Sequence, residues 1–191
     1  MTPQRLLKSP LFAGWVLGMI TALIVAVLAG MFVIFSGIYD TSAKAQHSKL
    51  VAWAIHKTMI HSVQRRANAQ APLPQTVSFW SGAREYEAHC IECHGGSGMD
   101  RAPWVKGMLP TPPFLVDTSA HWSRRELYNI VHDGVKMTGM PAWREVESDR
   151  QISDIVAFLQ TMPKLTPEQF QQAIGKVRAE KAARHSVQPA G

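Results

Sequence analysis

Apolar residues dominate one long stretch near the start of the chain. From Ser9 to Tyr39 the sequence runs for 31 residues without a charged side chain. About 20 apolar residues are enough to cross the core of a bilayer, whereas the apolar core of a cleaved signal peptide usually has about 7–15. We therefore predict an uncleaved transmembrane anchor within residues 1–40. Cleavage after Ala45, in the small-x-small pattern Ala43-Lys44-Ala45, is the disfavoured alternative.

A second helical pattern follows in residues 41–75, which we predict to be an amphipathic linker. The apolar positions of a helix expected from His47 to Ala67 fall on one stripe: Val51, Ile55, Met59 and Val63. Residues 41–70 contain five Lys/Arg and no acidic residue. Such a helix either lies on the membrane or against a partner subunit, or continues the anchor as a stalk.

Residues 76–165 show the period of α-helices and form the predicted central domain. Ser123 and Glu126, and later Ser148 and Gln151, have the spacing of capping boxes that begin helices. The apolar face expected after the second box is Ile152, Ile155, Val156 and Leu159, with Phe158 beside it. The fold class that this pattern predicts is all-α.

The last segment, residues 166–191, is predicted to be a short helix followed by a tail. Thr166 and Gln169 form a third capping box with Pro167 at the first helical position. Apolar residues at helical spacing indicate that this helix docks: Phe170, Ile174 and Val177. Disorder is expected beyond Arg184.

The charge of the chain is unevenly distributed. Residues 1–75 carry a net charge of +6, residues 76–165 of −2 and residues 166–191 of +2. A nucleic-acid-binding protein would carry its basic surface on the folded domain, so we exclude that class. The basic linker fits anionic lipid better.

The chemistry of the chain is concentrated in a C-x-x-C-H motif at residues 90–94. Cys90, Cys93 and His94 share one helical face, so that two thiols reach the vinyl groups of one haem and the imidazole faces its iron. A thioredoxin-like pair would need a βαβ context, and a thiolate zinc site would need a second cysteine pair. The motif therefore predicts one covalently attached haem c.

Residues on both sides of the motif extend the pattern. They are Gly82, Tyr86, Cys90, Cys93, His94 and Gly95, followed by Met140 in Gly139-Met140-Pro141. Gly82, Tyr86 and Cys90 fall on one helical stripe, and a glycine on this stripe is expected to let the helix after the second capping box cross closely. This arrangement resembles class I c-type cytochromes, and most closely the cytochrome c domain of cbb-type oxidase third subunits. The segment from Asp133 to Trp143 is similar to the one that carries the sixth ligand in single-haem, membrane-anchored members. The resemblance covers about residues 76–165 and implies a helical haem domain that transfers single electrons; Phe158 departs from the Tyr or Trp of many members.

The expected sixth ligand of the iron is Met140. Pro141 keeps this residue extended, and Gly139 allows the backbone to approach the porphyrin. Met140 also lies 46 residues beyond His94, enough chain to reach the other face of the haem. Met137 is the nearest alternative. A second imidazole is the other option, from His121 or His132, although His132 is better explained as the end of a helix.

The loop after the motif is expected to complete the haem pocket. A ligating histidine usually donates its second N–H to a carbonyl, and we expect that acceptor near Pro103. The expected apolar walls are Trp104, Phe114, Trp122, Tyr128 and Trp143.

These residues together predict a membrane-anchored c-type cytochrome of a respiratory chain, an electron carrier and not an enzyme. No acid–base pair, nucleophile–base arrangement, nucleotide loop or small-molecule substrate site is visible in the sequence. The redox partner is expected to be a membrane respiratory complex or dehydrogenase. The alternatives are a dedicated subunit of a larger membrane dehydrogenase or terminal oxidase, and a haem enzyme or gas sensor with an open iron position.

The orientation in the membrane follows from the haem motif. Arg5 and Lys8 precede the anchor, and Lys44, Lys49 and Lys57 follow it, so the flanking charges are nearly balanced. Covalent attachment of haem c takes place outside the cytoplasm. We therefore expect a single-pass protein of the bacterial inner membrane with its haem domain in the periplasm.

Overall fold

The first part of the chain is one long apolar helix. The structure is a computed structural model that describes residues 10–69 and 72–187, and it divides into two units, Met1–Ala45 and Gln46–Gly191. Helix α1 of the first unit spans Pro10–Ser36 and buries none of its side chains. Its 27 residues correspond to about 40 Å, more than the roughly 30 Å of a bilayer core. This helix is long and apolar enough to cross a membrane, and is the candidate anchor that the sequence predicts.

The second unit is built from helices and short 3₁₀ turns. The helices are α2 (Lys49–Ala69), α3 (Phe79–His89), α4 (Ile91–His94), α5 (Leu115–Thr118), α6 (Arg124–Asp133), α7 (Asp149–Thr161) and α8 (Pro167–Val187). The 3₁₀ turns are Pro103–Gly107, Ser119–His121, Trp143–Glu145 and Met162–Lys164. No strand occurs in residues 10–69 and 72–187. The predicted all-α class is confirmed.

Helices α3 and α7 cross closely at the centre of this unit. A Cβ atom at Gly82 would lie 2.1 Å from the backbone oxygen of Asp154, so only glycine permits this approach. The backbone N–H of Ser78, which caps α3, donates to Asp154 Oδ1 at 2.7 Å. Tyr86 and Phe158 meet in the core with ring centroids 5.2 Å apart. The prediction that Gly82 permits a helix crossing is confirmed.

The three predicted capping boxes are all present. Ser123 with Glu126 begins α6, and Ser148 with Gln151 begins α7. At α8, the backbone N–H of Thr166 donates to Gln169 at 2.9 Å, and Thr166 Oγ1 accepts in return. The apolar face predicted for α7 is buried, including Phe158. Short local patterns therefore located these helix starts correctly.

Two helices outside residues 76–165 also pack on the central domain. Linker helix α2 contacts α6 and buries Val63 and Ala67, whereas Val51 and Ile55 are exposed. We had expected this helix to lie on the membrane, to contact a partner subunit or to continue the anchor. It packs on the chain's own domain instead.

Helix α8 adds the predicted apolar residues to the core. It continues to Val187, past the residue at which we expected disorder to begin. Residues 188–191 lie outside the described part of the chain.

Candidate functional site

The C-x-x-C-H motif forms one compact turn at the end of α3. The backbone N–H groups of Cys93 and His94 both donate to the carbonyl of Cys90, at 3.2 and 2.9 Å. Gly95 then ends α4 with a φ of 64°. A Cβ atom there would lie 2.7 Å from the carbonyl oxygen of Met99, so the turn requires glycine. The buried Tyr86 hydroxyl donates to the Gly95 carbonyl at 2.8 Å and fixes this turn from the core side.

Both cysteines of the motif are free thiols. Cys90 is buried and Cys93 is partly exposed. Burial raises the pKa of Cys90 to about 12, and the negative charges of Glu85 and Glu147 add to this effect. Burial also raises the pKa of Cys93. The two thiols lie one helical turn apart, and neither is used in a disulfide bond.

His94 is held in a defined orientation by the loop that follows the motif. Its side chain is buried, and Nδ1 lies 2.8 Å from the carbonyl oxygen of Pro113. Burial lowers the pKa of His94, which favours the neutral imidazole that binds metals. With Nδ1 occupied as a donor, Nε2 is the nitrogen left to bind iron. Our expectation of an acceptor near Pro103 is wrong: the carbonyl belongs to the other end of the same loop.

This loop is tied back onto the motif at several points. The backbone N–H of Ala102 donates to the Glu92 carbonyl at 2.8 Å. The Arg101 guanidinium donates to the Pro112 carbonyl and lies 4.1 Å from the centroid of the Phe114 ring. These contacts position the carbonyl of Pro113, which lies between the two residues that Arg101 touches. Sequence reasoning missed Arg101 because a lone arginine in a loop carries no signal of its own.

The two candidate methionines are oriented differently. Met140 is partly buried and packs against the hydrophobic core, and its carbonyl accepts a hydrogen bond from Val135 N–H at 3.2 Å. Met137 is 76% exposed and has a positive φ of 61°. The preceding turn depends on Gly134, where a Cβ atom would lie 2.5 Å from Pro141 backbone atoms. Of the two thioethers, that of Met140 is the one directed at the interior.

The histidines considered as alternative ligands have other surroundings. His132 Nδ1 lies 2.8 Å from Asp133 Oδ1, and its ring stacks on Tyr128 with centroids 5.2 Å apart. His121 is exposed. These contacts fit the explanation of His132 as a residue at a helix end.

The predicted aromatic walls are only partly found in the interior. Tyr128 is buried, and Trp122 and Trp143 pack against the core. Phe114 lies on Gly95 of the motif turn. Trp104 is 55% exposed, and its assignment as a wall stays a prediction. It lies in the 3₁₀ turn Pro103–Gly107, which buries Val105 instead.

The donor set of the site fits a c-type haem. Two thiols one turn apart match thioether attachment, and an adjacent neutral imidazole, already hydrogen bonded through Nδ1, matches a proximal iron ligand. The side chains that would hold the group are Cys90, Cys93 and His94, with Met140 as the inward-facing thioether of the loop before α7.

Part of the central domain matches the model of a known protein family. The model of the family described as cytochrome c oxidase, cbb3-type, subunit III matches residues 79–159. The matched region contains the whole motif, the loop with Pro113, the methionine loop and α7 as far as Leu159. Neither the curated proteins nor the solved structures contain a significant match to the chain.

Proposed function

We propose that this chain is a single-haem cytochrome with His94 and Met140 as iron ligands, since its residues 79–159 match the family model of the cbb3-type oxidase subunit III. This match supports an electron-transfer protein with haem as its cofactor, and the apolar helix α1 supports anchoring in a membrane. The observation that carries the proposal is the His94–Pro113 contact at 2.8 Å directly after two free thiols. It leaves Nε2 of a neutral imidazole to bind iron.

Some residues of the site would attach the haem, and others would set its reduction potential. Haem c supplies a reversible couple between Fe(III) and Fe(II) when it is bound. Cys90 and Cys93 prevent its loss through thioether bonds, and His94 orients it. A thioether from Met140 favours Fe(II) more than a second imidazole would, and so raises the reduction potential. The buried core around Tyr86 and Phe158 excludes water from the motif side.

Mass spectrometry of the denatured protein tests the haem assignment. We expect the mass of the polypeptide plus one haem, and loss of that adduct in a Cys90→Ala, Cys93→Ala double variant. The single Cys93→Ala variant is the matched control, because it keeps one thiol for attachment. Haem that dissociates from the denatured wild-type chain would refute covalent attachment.

We further propose that the haem domain faces the periplasm. Haem c is attached outside the cytoplasm, and α1 is long enough to cross the inner membrane once. A reporter enzyme that is active only after export, fused after Gly191, is expected to be active. Activity of a cytoplasm-only reporter at the same position would contradict this orientation.

The proposed partner is a membrane respiratory complex, and two arrangements are possible for the chain. The family description names an oxidase subunit, which favours a fixed subunit of a terminal oxidase over a free carrier. The exposed side chains at the start of α2, including Leu50 and Trp53, offer apolar surface for such a partner. Purification from native membranes in mild detergent separates the cases: other oxidase subunits copurify with a fixed subunit, whereas a carrier is isolated alone.

A further inference from the structure

A second cluster of potential ligands lies beside the C-x-x-C-H motif. Glu85 and His89 are one turn apart on α3, and Glu147 directly precedes the cap of α7. One ligand atom from each of these three side chains lies within 4.8 Å of the others. His89 Nε2 is 3.0 Å from Glu147 Oε1 and 3.7 Å from Glu85 Oε2. Sequence reasoning missed the cluster because Glu147 lies 58 residues after His89.

Neighbouring residues hold the side chains of His89 and Glu85 and the backbone of Glu147 in place. The ring of Trp143 lies against His89 with centroids 4.7 Å apart. The Trp143 carbonyl also accepts the backbone N–H of Glu147 at 2.8 Å. Gln151 donates to Glu85 Oε1 at 3.4 Å. Ligand side chains supported in this way lose little freedom when they bind an ion.

The cluster contains a buried oxygen without a partner. Glu147 is 9% exposed, and within the described residues its Oε2 atom is buried and forms no hydrogen bond. Burial and the nearby charge of Glu85 raise the pKa of Glu147, although His89 opposes the shift. An unpaired buried carboxylate oxygen is costly, and native structures rarely leave one unexplained. One imidazole cannot satisfy two carboxylates that face each other.

We propose that Glu85, His89 and Glu147 form a binding site for a divalent cation of the zinc type. One imidazole nitrogen and two carboxylate oxygens are ligands that zinc accepts, and a water molecule completes four-coordination. The cation occupies the space between the two glutamates and gives Glu147 Oε2 its missing partner. The imidazole of His89 binds the cation through a ring nitrogen in its neutral form.

A cation at this site would affect the reduction potential of the proposed haem, because the cluster lies beside the haem-binding motif. Glu85 and Glu147 already act electrostatically on the Cys90 thiol. A bound divalent cation neutralises the charge of the two carboxylates, which removes an influence that favours Fe(III) and so raises the reduction potential. This consequence rests on the proposed function, whereas binding of the cation does not.

Equilibrium dialysis of the full-length detergent-solubilised holoprotein against zinc tests the site directly. We expect one zinc per chain at micromolar concentration. The Glu147→Gln variant keeps the side-chain shape but removes the charge, and its affinity should fall about tenfold or more. The matched control is Glu145→Gln, which changes an exposed glutamate two residues away and should bind as the wild type does. Haem content and the absorption spectrum establish that each variant is folded.

A second variant and X-ray absorption at the zinc edge complete the test. If Glu147→Gln does not incorporate haem, Glu85→Gln replaces it with the same expected loss of affinity. X-ray absorption at the zinc edge should show nitrogen and oxygen ligands at about 2.0–2.2 Å. Sulfur ligands at about 2.3 Å would locate the zinc outside the cluster of Glu85, His89 and Glu147 and overturn the assignment. Absence of binding, or equal binding by wild type and variant, would overturn it as well, while leaving the haem function intact.

Discussion

The Nε atom of Arg66 on α2 lies 3.3 Å from Asp133 Oδ2 at the end of α6. The other oxygen of Asp133 accepts a hydrogen bond from Arg144 at 3.0 Å. Asp133 and Arg144 lie on either side of Met140 in the sequence. The linker helix is therefore connected by ion pairs to both ends of the loop that carries the proposed sixth ligand.

We predict that the linker helix stabilises the domain mainly through packing. A chain that begins at Gln75 keeps the motif and Met140 and should still take up haem. It loses the buried side chains of Val63 and Ala67, so its free energy of unfolding should be about 2–3 kcal/mol lower than that of a chain beginning at Gln46. Denaturant unfolding of both haem proteins measures this difference.

The Arg66→Ala variant separates packing from charge. The pair is partly exposed to solvent, so its loss should cost at most about 1 kcal/mol. A cost for Arg66→Ala as large as that of the truncation would show that the ion pair, and not the apolar contact, holds the helix.

The second prediction concerns the sixth ligand. Met140→His should lower the reduction potential, because a second imidazole stabilises Fe(III) relative to a thioether. Met137→Leu should leave it nearly unchanged, since the Met137 side chain is 76% exposed. Redox titration measures both. Disappearance of the iron–sulfur absorption band in Met137→Leu, with the band intact in Met140→His, would reverse the assignment.

The third prediction concerns the arginine that orients the loop around His94. Arg101→Gln removes a positive charge that acts on His94, so the oxidised iron should be favoured and the potential should fall. Arg101→Lys keeps the charge but loses the planar contact with Phe114, and should retain more of the wild-type potential. Redox titration of the two variants separates charge from geometry. Equal potentials in both would mean that the charge of Arg101 has no influence on the iron.

The sequence was most informative where local rules decide the structure. Capping boxes marked the starts of α6, α7 and α8, and the spacing of Gly82 and Tyr86 identified the crossing face of α3. Each of these features depends on residues a few positions apart, so that no knowledge of the tertiary fold was required.

Features that depend on distant contacts were missed or misplaced. The acceptor for His94 is Pro113 and not a residue near Pro103, because contacts of Arg101 and Phe114 determine the path of the loop. The apolar stripe of the linker helix predicted that one face of α2 is buried, but it did not show that α6 covers this face. His89 and Glu147 come together only when α3 and α7 cross.

The last prediction tests that crossing directly. Gly82→Ala places a methyl group 2.1 Å from the backbone oxygen of Asp154, and backbone on both sides cannot move away as a flexible side chain would. We expect a loss of about 3 kcal/mol or more in the free energy of unfolding, together with reduced haem incorporation. Gly175→Ala is the matched control, because it lies within α8 with no atom within 4 Å of the added group. A mid-helix glycine of this kind should gain about 0.5–1 kcal/mol on replacement by alanine. Denaturant unfolding measures the change in the free energy of unfolding for both variants. The two changes should have opposite signs if close contact of α3 and α7 holds the domain together. A gain in stability at both positions would mean that the two helices can move apart at little cost.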